Sequence, residues 1–229
     1  MVVLTGSGVS AESGVPTFRD AQSGIWERFR PEDLATPQAF RRDPKTVWEW
    51  YEWRRTLVRE AKPNPGHTAI AQLEQIVPRL TLITQNVDGL HQRAGSHAPL
   101  EFHGNILGNR CFAEHRRLTD DELSPGTPPS CTHCGSMVRP DVVWFGEEID
   151  KTILDAALNA CAKCDFFLSV GTSAQVQPAA GLAELALSCD AVVAELNTDD
   201  TPLSPVAHFC LRGPSGVLLP NLVLELKKD

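Results

Sequence analysis

Short, almost uninterrupted apolar runs at residues 2–5, 80–84, 99–103, 166–170, 191–196 and 209–212 constrain this chain more than any other feature. A strand that is apolar along its whole length must be covered on both faces, which is the condition of a parallel sheet. The stretches between, at residues 46–60, 68–76, 149–162, 179–188 and 217–227, carry apolar residues at helical spacing and supply the covering helices. The alternation predicts an α/β fold, a doubly wound parallel sheet of Rossmann-like type, with ligands at the carboxyl ends of its strands. Two stretches break the rhythm. Residues 20–65 are rich in Trp and Arg without a strand pattern, and residues 106–143 collect Cys, Pro and Gly. They read as insertions at strand ends: a helical insertion and a small Cys-containing module. That assigns 1–19, 66–105 and 144–229 to the sheet domain.

Composition narrows the function classes. With 42% hydrophobic and 22% charged residues in 229, the chain is globular rather than a disordered tail. A net charge of −8 argues against broad nucleic-acid binding but would mildly attract a basic peptide. No apolar run reaches the roughly 20 residues that span a bilayer, and no secretory signal precedes the first strand. That strand starts so close to residue 1 that a natural leader ahead of it stays an open possibility. Seven Cys, an odd count, suit thiols or metal ligands in a reducing compartment better than a disulfide scaffold. The expectation is a cytoplasmic monomer that uses neither nucleic acid nor membrane.

Directly after the first strand, Gly6-Ser7-Gly8-Val9-Ser10-Ala11 satisfies G-x-G-x-x-[GA]. The first Gly permits a tight turn, the second lets main chain approach a pyrophosphate, and Ala11 lets the next helix pack closely. A hydride-transferring dehydrogenase would add an acid about 20 residues on, at the end of a second strand. Glu27 has that distance but lies in Trp26-Glu27-Arg28-Phe29, which is no strand, so the dehydrogenase reading weakens. His103 ends one apolar run and Gln85-Asn86-Val87-Asp88 follows another, so both converge on one cleft. Taken singly, His103 reads as a core or turn residue, and Asn86 and Asp88 as helix caps.

The glycine loop runs without a break into Ser10-Ala11-Glu12-Ser13-Gly14-Val15-Pro16-Thr17-Phe18-Arg19-Asp20. Further blocks are Thr84-Gln85-Asn86-Val87-Asp88-Gly89-Leu90-His91, Glu101-Phe102-His103-Gly104, Val143-Trp144-Phe145-Gly146-Glu147 and Gly171-Thr172-Ser173. In order and spacing, over essentially the whole chain, they resemble the sirtuins, NAD-consuming protein-lysine deacylases. The resemblance implies NAD as cofactor and acylated protein lysines as partners. It makes His103 the general base toward a ribose hydroxyl, a task that an imidazole titrating near pH 6.5 suits. Asn86 and Asp88 would orient the nicotinamide end, and Gln85 the ribose. Gly6, Ser7, Gly8, Ser10, Ala11, Glu12, Pro16, Thr17, Phe18 and Arg19 would line the cofactor, Phe18 keeping water from the reacting carbon. Gly171, Thr172, Ser173, Asn197 and, more weakly, Ser215 would hold the adenosine half. Val143, Phe145, Gly146 and Glu147 would pin the peptide as an added strand.

Tyr51 and Arg54 are three apart on one helical face, with Arg55 pointing elsewhere. Read by pattern alone, they belong to an amphipathic surface helix. By resemblance they match the Tyr-x-x-Arg signature of the sirtuin branch that removes malonyl, succinyl and glutaryl groups, and Ala35 matches its pocket-widening small residue. Cys131-x-x-Cys134 has zinc-knuckle spacing, but the first knuckle reads Cys111-Phe112-Ala113-Glu114-His115, with Glu114 at the expected second Cys. Three thiolates with Glu114 or His115 could bind zinc, or the site could be vestigial. Cys161, Cys164, Cys189 and Cys210 read as packing residues. Mono-ADP-ribosyl transfer and a non-catalytic NAD sensor are the competing functions.

Overall fold

The computed structural model describes residues 1–15 and 30–228, with only the main chain of Pro31 and Glu32. Pro16, Thr17, Phe18, Arg19 and Glu27 therefore lie outside the described residues. Elements run β1 (Val2–Thr5), α1 (Gly8–Ala11), α2 (Pro31–Leu34), α3 (Pro37–Arg42), α4 (Pro44–Glu60), α5 (Pro65–Ile76), β2 (Thr81–Thr84), α6 (Leu90–Arg93) and β3 (Leu100–Glu101). Then come β4 (Gly104–Cys111), β5 (Arg117–Leu118), β6 (Leu123–Ser124), β7 (Ser130–Cys131), β8 (Val138–Val142) and α7 (Lys151–Cys161). The chain closes with β9 (Phe166–Val170), α8 (Gly181–Ser188), β10 (Val192–Asn197), β11 (Phe209–Arg212) and α9 (Ser215–Leu226).

Strand alternation explains why the apolar runs have no polar gaps. The main sheet is parallel throughout, in the order β11-β10-β9-β1-β2-β3. Val2, Leu4, Phe167 and Val193 face α7 and α8 in one core, whereas Val3, Leu82, Leu168 and Leu196 face α5 and α9 in the other. Successive side chains along each strand thus enter opposite cores. β1 lies between β9 and β2, so the connections wind outward from it in both directions. The crevice at that reversal is where open α/β sheets bind ligands.

A second, antiparallel sheet of β5-β4-β8 and the small β6-β7 pair form the Cys-containing region. Chain direction changes at Gly104, whose φ of +83° suits glycine and where a Cβ would come 2.1 Å from the Asp141 carbonyl. This turn trims the predicted strand 99–103 to Leu100–Glu101. Phe40, Trp50, Tyr51, Ile106 and Trp144 build a separate apolar cluster joining α3 and α4 to the antiparallel sheet. Arg55 is buried there but satisfied: it donates to the carbonyls of Ile106 (2.6 Å) and Gly108 (2.7 Å) and to Glu52 (2.6 Å). The sequence expectation for cysteines holds at Cys161 and Cys164, which are buried, and fails at Cys189 and Cys210, which are exposed. Cys189 follows α8, and Cys210 lies on the outermost strand of the sheet, so neither has a second layer over it. Among the described residues no helix is long and apolar enough to cross a membrane.

Candidate functional site

Register brings the strand ends into one line. Thr5 pairs with Thr84 and Val170, Thr84 with Glu101, and Leu196 with Val170. Gly6, Gln85-Asn86, His103, Gly171 and Asn197 consequently emerge along a single rim. Sequence order alone does not show this, since these positions span most of the chain.

At the centre of the rim two loops touch main chain to main chain. Gly8 N–H donates to the Gly171 carbonyl at 2.9 Å. A Cβ on Gly6 would meet that carbonyl at 2.8 Å, one on Gly8 would meet Gly171 Cα at 2.8 Å, and one on Gly171 (φ +58°) would meet Val9 N at 2.6 Å. No side chain fits at any of the three, so the two loops can cross this closely only because all three positions are glycine. Beside it Asn197 Nδ2 donates to the Thr172 carbonyl at 2.7 Å, joining the ends of β9 and β10. Ser173 lies half-buried on the same turn. Ala11 ends α1 and is exposed. Glu12 reaches the start of α9, accepting from Gly216 N–H at 2.8 Å and from Ser215 Oγ at 3.3 Å. A carboxylate at a helix N-terminus satisfies donors that have no partner within the helix.

The next layer is a closed polar knot around Ser10. Its hydroxyl donates to Asp88 Oδ2 (2.8 Å) and accepts from Asn86 Nδ2 (3.0 Å), which also donates to the Gly6 carbonyl (3.1 Å). His67 completes it. Asn64 N–H donates to His67 Nδ1, which leaves the proton on Nε2, facing Ser10 Oγ at 3.3 Å. Sequence reasoning gave His67 no role. The local signal was Asn64-Pro65-Gly66-His67, a helix start in which Asn64 caps α5 and His67 returns the bond. Behind the knot His91 Nε2 sits 2.9 Å from Thr5 Oγ1, and its ring lies 4.8 Å from that of His67. Burial lowers both imidazoles, His67 to about 4 and His91 to about 3, the latter lowered further by His67. Asp88 moves the other way, raised by burial against its hydrogen bonds from Leu90 N–H and Ser10.

His103 is half-buried on the rim. Its Nδ1 lies 3.1 Å from the Gln85 carbonyl, which can only accept, so Nδ1 carries the proton and Nε2 presents a lone pair. Burial lowers its pKa, opposed by that same hydrogen bond, so the imidazole is neutral at pH 7. The His103 carbonyl accepts from Val143 N–H at 2.9 Å, and Phe145 N–H donates to the Ala35 carbonyl at 3.0 Å. The strap Val143–Glu147 is thereby stitched to the imidazole's strand on one side and to the helical insertion on the other. Phe145 and Gly146 are exposed on it, and Glu147 turns inward to Arg139 and to Trp144 N–H.

Under the strap lie Ala35, Tyr51 and Arg54. Ala35 and Tyr51 are buried in one cluster, and the Tyr51 hydroxyl accepts from Trp144 Nε1 at 2.8 Å. Burial pushes the phenol up to about 12, so it stays protonated. The Arg54 guanidinium stands 5.1 Å over the Trp50 ring; burial lowers it, while Tyr51 and Asp88 act in the opposite direction. Arg54 therefore feels the carboxylate of the Ser10 knot as well as the phenol beside it.

At the far side of the antiparallel sheet, the ligand atoms of Cys111, Glu114, Cys131 and Cys134 all lie within 4.8 Å of one another, with Cys111 and Cys134 sulfurs 3.5 Å apart. Zn–S bonds of about 2.3 Å place tetrahedral thiolates about 3.8 Å apart, so three sulfurs and a carboxylate fit zinc. Of the two candidates for fourth ligand, the geometry gathers Glu114 and leaves His115 out.

Residues 6–178 match the Sir2 family, and the chain belongs to that family, the sirtuins. Over 227 residues it is 48% identical to NAD-dependent protein deacylase 2 of Pyrobaculum aerophilum, covering 99% of this chain and 91% of the relative. Its structure is similar to the crystal structure of a Sir2 homologue–NAD complex, with a TM-score of 0.92 and 46% identity over 99% of this chain and 89% of that one. It is also similar to a Sir2 variant bound to deacetylated p53 peptide and 3′-O-acetyl ADP-ribose, with a TM-score of 0.86 and 28% identity over 98% of this chain and 92% of that one.

Proposed function

We propose that the protein is an NAD-dependent protein-lysine deacylase that prefers acidic acyl groups, succinyl, malonyl and glutaryl, over acetyl. The observation that carries the deacylase reading is the His103 imidazole, neutral and with its proton held on Nδ1 by Gln85, on the same rim as the side-chain-free crossing of Gly6, Gly8 and Gly171. When bound, NAD supplies the ribose carbon that accepts the acyl oxygen as nicotinamide departs, so lysine is released and the acyl group ends on ADP-ribose.

The residues divide the work. The crossing, with Ser7, Ala11 and Glu12 beside it, takes the pyrophosphate; Thr172, Ser173, Asn197 and Ser215 take the adenosine half, and Pro16, Thr17, Phe18 and Arg19 cover the cofactor. Asn86 and Asp88, locked to Ser10, hold the nicotinamide end, where a preset geometry lowers the entropy cost of reaching the reactive arrangement. Gln85 orients the ribose, and His103 Nε2 takes a proton from its hydroxyl. Val143, Phe145, Gly146 and Glu147 carry the peptide through main-chain hydrogen bonds. We assign 1–19, 66–105 and 144–229 to the dinucleotide-binding domain, 20–65 to the acyl pocket, and 106–143 to a zinc-ribbon-like module in which Cys111, Glu114, Cys131 and Cys134 hold zinc structurally. A cytoplasmic monomer suits the free state of all seven cysteines and the acidic charge balance.

Acyl preference rests on Tyr51, Arg54 and Ala35. A protonated phenol and a guanidinium can share a distal carboxylate, a charge-assisted contact of about 1.5–3 kcal/mol. An acetyl group offers nothing to either. The test is kcat/KM on succinyl- and acetyl-lysine peptides for wild type and Arg54→Met. The succinyl preference is expected to collapse in the variant; equal rates on both peptides in wild type, unchanged by the substitution, would refute it. Product mass separates O-acyl-ADP-ribose from ADP-ribosylated protein.

A further inference from the structure

We propose that Trp144 is a positioning residue for acyl specificity: its indole N–H fixes the direction in which the Tyr51 phenol donates. This rests on the reading of Tyr51 as a carboxylate contact and deepens it.

The indole is held from every side. Trp144 is 2% exposed, the Arg139 guanidinium carbon stands 3.4 Å from its ring centroid, and Phe40 packs at 5.3 Å between centroids. Its backbone N–H donates to Glu147 Oε2 at 2.9 Å, and Glu147 is bound in turn to Arg139. The ring therefore has one orientation, and its single polar atom is a donor that cannot accept. That donor is 2.8 Å from Tyr51 Oη.

A hydroxyl that must accept from one side has its own proton directed away from that side. Among the described residues the Tyr51 hydroxyl has no hydrogen-bond partner other than Trp144, so its O–H is available to a group in the pocket. Donation into the phenol oxygen also polarises it and strengthens the bond it gives. The phenol becomes a committed donor, matched to an acceptor-only carboxylate and to no part of an acetyl methyl. Without the indole N–H the hydroxyl could rotate freely.

The experiment measures kcat/KM on succinyl- and acetyl-lysine peptides for wild type, Trp144→Phe, Tyr51→Phe and the double variant. The succinyl-to-acetyl ratio cancels any loss common to both substrates. Trp144→Phe should lower this ratio about fivefold. The loss should appear in KM for the succinyl peptide, because the carboxylate is bound alike in ground and transition states. In the Tyr51→Phe background the same change should alter the ratio by less than about twofold, the coupling expected of one residue acting through another. An unchanged ratio in Trp144→Phe, or an equal drop in both backgrounds, overturns the proposal. If Tyr51→Phe alone leaves the ratio unmoved, the carboxylate reading of Tyr51 fails and takes this inference with it. Replacing the indole by benzothiophene, which keeps the shape and lacks the N–H, supplies the same comparison should the Phe variant fold poorly.

Discussion

Mild acid should loosen this protein through two buried histidines, His67 behind Ser10 and His91 behind Thr5. His67 and His91 are 0% and 1% exposed, and burial holds them near 4 and near 3, against about 6.5 in an unfolded chain. A folded-state pKa that is depressed means the unfolded state binds the proton first. The associated stability is therefore complete above pH 6.5 and is lost as pH falls toward the folded values. Between pH 7.5 and 5 each histidine costs about 2 kcal/mol, a figure that depends on the unfolded pKa alone while both folded values stay below 5. Together they remove about 4 kcal/mol, a large part of an ordinary domain's 5–15 kcal/mol. Asp88, raised by burial, acts in the opposite direction. Carboxylates held low, such as Glu122 at about 2, start to lose their contribution as pH falls through the unfolded value near 4.5, at the lower edge of the window. At about 2 °C per kcal/mol for a chain of this size, the melting temperature should fall by about 8 °C, read by circular dichroism at pH 7.5, 6.5, 5.5 and 5. In a His67→Gln, His91→Gln double variant the slope should flatten, whatever its starting stability. A wild-type melting temperature level across that range, or the same slope in the double variant, would refute the reasoning.

Other outcomes follow from the rim and the module. His103→Ala should lower kcat/KM by at least about 100-fold, and an unchanged rate would remove the imidazole from the reaction. In wild type the acid limb of kcat/KM should fall below pH 6.5, since burial depresses His103 and only its neutral form accepts a proton; a limb centred above pH 7 would contradict that environment. Gly171→Ala, forced to φ +58° with a Cβ 2.6 Å from Val9 N, should lower the melting temperature and abolish NAD binding by calorimetry. Elemental analysis of protein purified without chelator should give about one zinc per chain, and Glu114→Ala should release it faster to a chelator; less than about 0.2 zinc per chain would mark the four ligands as vestigial.

Local chemistry explains what could be read from the sequence. Phe166–Val170 has the limits its apolar run suggests, because a parallel strand between two helical layers has apolar neighbours on both faces, whereas Phe209–Arg212 matches its run as an exposed edge strand. The helix predicted at 68–76 begins at Pro65, since Asn64 caps it and Pro65 occupies the first turn, a signal in residue types rather than in periodicity. β4 and β8 escaped notice for a different reason. They are interrupted by Arg, Asn and Pro, and each finds its partner about thirty residues away across a Cys-rich loop. Tyr51 and Arg54 of α4 were singled out by resemblance alone, but the bond from Trp144 to Tyr51 spans 93 positions and has no local trace. The same holds for His67, whose partner Ser10 is 57 positions away.

Where Gly6, Gly8 and Gly171 meet, the protein offers a would-be engineer nothing to edit. A crossing made of peptide groups has no side chains to exchange, so libraries aimed there can only damage it. Under the function proposed above, retuning toward an altered dinucleotide would start instead from the side chains of Asn197 and Ser215, where an exchange drives no Cβ into main chain.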